Sequence, residues 1–392
     1  MKRLALALVS ACVAALLGVV VVEVYVRATW DPMRGRPGLF VADPVRIEKL
    51  APNYDGWFAG VPVHINALGF RDVRDYDLAK RAKTFRILVL GDSVTFGHGS
   101  VFEHTYPYLL EQRLAGWRPD IEWQVWNLGV PGYNTSQEFA DLLDVGPRFR
   151  PDLVILGFFL NDVVENQPYA PPSRRARLVA ATTTWLRARV YSYDLYRKAL
   201  VLARARLQSA GETQRIEAAL ATQEQLLARP VDVATRSEQR LTNPAPLPLD
   251  TPPPSCAAPP TEPFASERLE DTPGFGAWLD AVRAFGAVRH EGAYDVVVFV
   301  NDAPSVCRIG DIFDPRGTHE RDRYFLGAFA SVGLPAVSAH DAFLRYRPSQ
   351  MPMAGGHSIG NSNAVKADVL FAFLRDRVLS ARLAQHHVEQ RP

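Results

Sequence analysis

The stretch FRILVLGDSVTFGHG, Phe85 to Gly99, is an apolar run that stops abruptly at Gly-Asp-Ser. A short continuous apolar run closed by glycine reads as a buried strand turning into a helix. Ser93 then has two readings. It is a nucleophile held at the carboxyl end of a strand, or a small residue that caps the helix after it.

Outward from this strand, apolar strands and helical patterns alternate. TYPYLLEQRLAGW follows as a helix, EWQVWNLG as a second strand, and NTSQEFADLLDVG as a helix that Asn134 or Thr135 caps. PDLVILGFFLND is a third strand, YDVVVFVND a fourth and GLPAVSAHD a fifth, before a last helix from about Asn361. Strands alternating with helices predict an α/β fold with a parallel sheet covered on both faces. This is a three-layer, flavodoxin-like domain over residues 85–392, with its sites at the carboxyl ends of the strands.

Three segments fall outside that pattern. Residues 30–84 read as an irregular lead-in packed beside the sheet; within it HINALGFRD, His64 to Asp72, is a compact turn without an evident mechanism. From about residue 165 to 293 the alternation breaks, and we read an insertion. Arg174 to Arg206 is helical in pattern and carries nine Lys or Arg against the single acid Asp194, interleaved with Trp185, Tyr191, Tyr193 and Tyr196. That is a solvated face, or a surface for anionic lipid or acidic glycan. Asn243 to Pro263 is Pro-rich and reads as extended chain, and GFGAWLDAVRAFGAVRH resumes the helix that feeds the fourth strand.

The third segment is the N-terminus. Leu4 to Val22 is nineteen residues without a charge, preceded by Lys2 and Arg3. As a helix it spans about 28 Å, close to the thickness of a bilayer core. No small-x-small cleavage site follows, so residues 1–29 read as an uncleaved signal anchor; a lipoprotein box ending at Cys12 and a cleaved signal peptide are the alternatives. All three put the remaining chain outside the cytoplasm. There Cys256 and Cys307 form a disulfide or remain two thiols. With 392 residues and a net charge of +2, the whole chain makes no case for nucleic acid.

Three further stretches bear on Ser93. Gly129, in NLGVPGYNTSQE, ends the second strand, and a glycine lets its N–H approach a ligand closely. Asn161, in FFLND, ends the third strand and offers an amide donor. His357 lies in the Gly-rich loop GGHSIGNSN before the last helix. A serine, a base and several N–H donors at one sheet edge are what acyl transfer requires.

With these blocks in this order the chain resembles the SGNH hydrolases, the GDSL esterase/lipase superfamily. GDSVTFG is similar to the first block, NLGVPGYNT with Gly129 to the second, LND with Asn161 to the third, and His357 to the last. The resemblance is close over about Phe85 to Val164, loose from Tyr294 onward, and absent in the insertion. It implies a serine-dependent ester hydrolase or acyl transferase that needs no metal or cofactor. Ser93 would be the nucleophile and His357 the base, with the Ser93 N–H, the Gly129 N–H and the Asn161 amide as the oxyanion hole.

One departure matters. The family usually has an aspartate two or three residues before the histidine, where this chain has Gly355 and Ala354. A backbone carbonyl of Ala354–Gly355 orients His357, or Asp341 reaches over from the fifth strand, or the site is degenerate. The resulting expectation is a membrane-anchored, extracytoplasmic esterase acting on an O-acyl ester such as an acetylated glycan. An O-acetyltransferase of a surface polysaccharide and a non-catalytic glycan-binding module are its rivals.

Overall fold

A computed structural model of the chain describes residues 2–30, 38–164, 166, 173–211, 213–214, 216–217, 241–247, 269–306, 313–314, 319–354, 356–380 and 383. Its centre is a five-stranded parallel sheet: β1 (Thr84–Gly91), β2 (Glu122–Gly129), β3 (Leu153–Phe158), β4 (Val296–Val300) and β5 (Ala336–Ser338). The spatial order is β2-β1-β3-β4-β5, the flavodoxin-like order expected from the alternation. All eight residues of β1 are buried. Alternate side chains serve opposite faces: Ile87 and Val89 enter one core, Leu88 and Leu90 the other.

The first core is closed by α3 (Tyr106–Trp117) and α9 (Asn361–Phe373). The second is closed by α4 (Thr135–Phe149), α7 (Phe275–His290) and α8 (His319–Ser331), through Leu142, Trp278, Phe285, Phe325 and Phe329. Asn134 is the residue that caps α4: its side chain accepts the Gln137 N–H while the Gln137 side chain accepts the Asn134 N–H.

Between β1 and α3 lies α2 (Ser93–Phe96), a single turn seated directly on the sheet. Gly129 of β2 and Gly157 of β3 both pair with Gly91 of β1, making a row of three glycines across adjacent strands. A Cβ on Gly91 would stand 2.0 Å from Thr95 Oγ1, one on Gly129 2.2 Å from the Phe96 N, and one on Gly157 2.3 Å from Thr95 Oγ1. The turn can approach this closely only because no side chain intervenes.

The lead-in is more regular than its sequence pattern suggests. It forms two antiparallel hairpins, Phe40–Asp43 with Ile47–Leu50 and Asp55–Phe58 with Val61–His64. Their apolar residues, among them Leu39, Leu50, Val61, Val63 and Ile65, build a small core around Phe96 and Tyr133. Four-residue strands are too short for a two-residue period to stand out from chance.

The basic stretch forms two helices rather than one, α5 (Arg174–Arg189) and α6 (Tyr193–Gln208). Cys256, Cys307 and most of the Pro-rich segment lie outside the described residues. At the N-terminus α1 (Lys2–Ala28) contains a span, Val9–Ala28, long and apolar enough to cross a membrane.

The glycine row has a direct test. Gly129→Ala must push α2 off the sheet, and overpacking of this kind costs about 1–3 kcal/mol. A urea titration should show a lower midpoint with an unchanged slope.

Candidate active site

The first turn of α2 is built by its preceding residue. Asp92 is fully buried, and its carboxylate accepts the Val94 N–H at 2.8 Å, so it is the N-cap of the turn. It also accepts a hydrogen bond from the Asn161 side chain, which comes from the end of β3. Burial pushes the Asp92 carboxyl upward, while these donors and the charge of Lys366 hold it down. Lys366, on α9, is itself buried; burial brings its ammonium down to about 8 against the attraction of Asp302 and Asp92.

His357 and Ser93 are in contact. The Ser93 Oγ lies 2.8 Å from His357 Nε2 and 3.4 Å from Asp92 Oδ2. The shorter contact is a normal hydrogen bond and the longer one is at its limit. His357 sits in a two-residue antiparallel ladder, Met353–Ala354 with His357–Ser358. Ser100 Oγ links the two loops, accepting from Asn363 Nδ2 at 2.9 Å and donating to the Ser358 carbonyl at 3.3 Å.

The other expected residues fall differently. Asn161 is at the site, bonded to Asp92, and its Oδ1 has no partner among the described residues. The Gly129 N–H is donated to Asn127 Oδ1 at 3.0 Å, and Asn127 Nδ2 donates to the Thr95 carbonyl at 2.9 Å. Gly129 thus serves close packing. Gly132, in the turn that follows β2, has φ +86° and, among the described residues, nothing within 4 Å of where a Cβ would stand.

Asp341 does not reach His357. Its carboxylate is 74% exposed and faces two other histidines, His340 Nδ1 at 3.0 Å and His319 Nδ1 at 3.7 Å. β5 is the edge strand, three places from β1, which puts the end of β5 too far away. Ala354 is paired with His357 across the ladder, whereas Gly355 lies outside the described residues.

Two residues emerge that the motif reading passed over. The first is His98, whose ring stacks on His357 at 4.2 Å between centroids and 22° between planes. Phe58, from the lead-in, meets the His98 ring edge-on at 5.2 Å. The His98 N–H donates to the Ser93 carbonyl at 2.9 Å. One residue therefore touches both Ser93 and His357. Burial, followed by His357 and Arg71, lowers the His98 imidazole to about 3, so it is neutral.

The second is Arg71, in the HINALGFRD turn. It is 1% exposed, and its guanidinium donates to the carbonyls of Phe96 and Gly97 at 2.6 Å each and of Ser100 at 2.5 Å. It also lies over the Phe96 ring at 4.4 Å. A cation at a helix C-terminus adds donors to its last carbonyls and suits the negative end of the helix dipole. Asn66 shapes the turn that delivers it, its Oδ1 accepting the N–H groups of Leu68 and Phe70.

Because the ordinary imidazole value is 6.5 and that of folded His98 about 3, the unfolded chain binds the extra proton between them. The contribution of His98 is fully present above about pH 6.5 and is lost as pH falls towards 3. His98→Phe should flatten that acid limb in a series of urea titrations; an unchanged limb would show that His98 is already protonated in the fold.

Residues 89–269 match the model of the GDSL-like Lipase/Acylhydrolase family. Solved structures similar to the chain include LAE5, an alpha/beta hydrolase from the metagenome of Lake Arreo, Spain, at 14% identity and TM-score 0.37, covering 74% of this chain and 94% of that one. The lipase/acylhydrolase from Enterococcus faecalis is similar at 13% identity and TM-score 0.36, covering 75% and 96%. A Clostridium thermocellum family 3 carbohydrate esterase is similar at 11% and 0.35, covering 76% and 99%. No curated protein matches the chain.

Proposed function

We propose that this chain, whose residues 89–269 carry a GDSL-like lipase/acylhydrolase domain, is a serine ester hydrolase working through the pair Ser93 and His357. The observation that carries this reading is the 2.8 Å contact between Ser93 Oγ and His357 Nε2. A module that only bound a ligand would have no use for a serine hydroxyl aimed at an imidazole.

In this mechanism Ser93 Oγ attacks the acyl carbon as its proton passes to His357 Nε2. The negative charge on the former carbonyl oxygen is met by the Ser93 N–H at the start of α2 and by the Asn161 amide. Asp92 fixes which way that amide points, because its carboxylate accepts only from the NH₂ group. The third donor comes from the end of β2. We move it from Gly129, whose N–H is taken by Asn127, to Gly132 in the open turn beyond. His357 returns the proton to the departing alkoxide, then deprotonates a water that attacks the acyl-enzyme and releases the acid and Ser93.

The substrate class we propose is an O-acyl ester outside the cytoplasm, with an acetylated glycan as the first candidate. The supports are the charge-free stretch Leu4 to Val22 with Lys2 and Arg3 before it, and a site at the carboxyl edge of the sheet.

Fluorophosphonate labelling of the full chain should occur in wild type and disappear in Ser93→Ala and His357→Ala. Loss of one oxyanion donor typically costs about a hundred- to a thousandfold in rate. Asn161→Ala should accordingly slow aryl acetate hydrolysis by that much, and a folded wild type that takes no label would overturn the proposal. For the stacked ring, His98→Leu should lower kcat with little change in KM, while His98→Phe, which keeps a flat surface against His357, retains most of the rate. Equal rates in the two variants would show that stacking does not position the base.

A further inference from the structure

The helices α5 and α6 carry side chains that the hydrolytic site does not use. Along α5 the exposed residues Leu178, Ala181, Thr182, Trp185 and Arg189 follow helical spacing, with the Arg189 guanidinium 4.9 Å from the Trp185 ring. Along α6, Tyr196, Leu200 and Leu207 form a second exposed stripe, with Leu200 61% and Leu207 88% accessible. From Arg174 to Gln208 there are nine Lys or Arg and one acid, Asp194. Apolar and aromatic residues bordered by cations, exposed on both helices among the described residues, suit the boundary between lipid head groups and acyl chains.

A separate observation says where this surface lies. The turn between α5 and α6 is bonded to the end of α1. Glu23 accepts the Tyr191 N–H at 3.0 Å, the Ser192 N–H at 2.9 Å and the Ser192 hydroxyl at 2.6 Å. Arg27 donates to the Arg189 carbonyl and lies over the Tyr191 ring at 4.5 Å, while Trp30 meets that ring edge-on at 5.1 Å. The turn that joins the two helices therefore lies at the end of α1.

We propose that α5 and α6 form an interfacial collar that lies on the membrane carrying α1, with their Lys and Arg contacting acidic phospholipid head groups. The inference rests on the anchoring role assigned to α1. The collar would hold the lead-in at the bilayer, since α5 also packs on the strand Phe40–Asp43. It would keep the whole domain at a set distance from the lipid surface.

The nine basic residues are trypsin sites, which makes shielding measurable. The full chain would be reconstituted into vesicles of phosphatidylcholine, or of phosphatidylcholine with about one-third phosphatidylglycerol, and digested beside a detergent sample. Cutting at exposed Arg283 of α7 supplies the internal reference. Cleavage within residues 174–208, relative to that reference, should slow at least about tenfold on the acidic vesicles and recover in high salt, where such attraction is screened. A chain with Arg177, Arg197, Lys198 and Arg204 changed to Gln should lose the dependence on phosphatidylglycerol. Equal cleavage on acidic vesicles and in detergent, by a chain that floats with the vesicles, would overturn the collar alone. A chain that does not float would overturn the anchor and the collar together, and neither result touches the Ser93 reading. Shielding by an acidic polysaccharide in detergent, with none from acidic vesicles, would assign the surface to a glycan instead.

Discussion

Backbone lying directly on backbone is the constraint from which the site follows. Where β2, β1 and β3 run side by side, the row Gly129, Gly91, Gly157 leaves a bare strip, and the turn that bears Ser93 lies in it. Thr95 fills the space left by the missing side chains, and its hydroxyl bonds Tyr106 at 2.8 Å. Any side chain on the strip would lift the turn and with it Ser93. A displacement of even an ångström is enough to separate a nucleophile from its base.

A turn pressed so closely against a sheet must have its polar groups satisfied from the sides. At its start Asp92 supplies the acceptor, and at its end Arg71 and Asn127 supply the donors. Arg71 stays charged although it is buried: its value falls to about 9, and three carbonyls take the place of water. Around this turn Lys366, Asp92 and Asp302 form a buried set of charges in which the ammonium is attracted by both carboxylates. Glu138 is pushed well above the usual carboxylate range by burial and by the negative charge of Asp92 and Asp141.

The five strands and their parallel sheet were legible in the chain, because long apolar runs separated by amphipathic helices leave few topologies open; the meeting of Ser93 with His357 was implied by the resemblance of their blocks to the family's. Asn134 as a cap was legible too, since an Asx residue three before Gln137 is a local signature. What escaped were contacts between segments far apart in sequence. His98 faces His357 across 259 positions, and Arg71 reaches the far end of α2; neither has a spacing that marks it. Gly129 was singled out for the right strand end but for its N–H, when the pressure on it comes from the missing Cβ. Asp341 looked available because strand ends in one sheet share an edge. The lateral order of the strands, which places β5 outermost, removes it.

The lead-in has a consequence for what counts as one protein unit here. The match to the family model begins at residue 89, inside β1, yet Phe58 and Arg71, which brace the ring stacked on His357 and the turn that bears Ser93, lie upstream of it. The borders of the match and the borders of the packing around Ser93 therefore differ, and His357 lies beyond the match at its other end. A fragment cut to residues 89–269 would keep Ser93 and lose His357, Phe58 and Arg71, so the smallest piece that holds this arrangement together is larger than the region the family model covers.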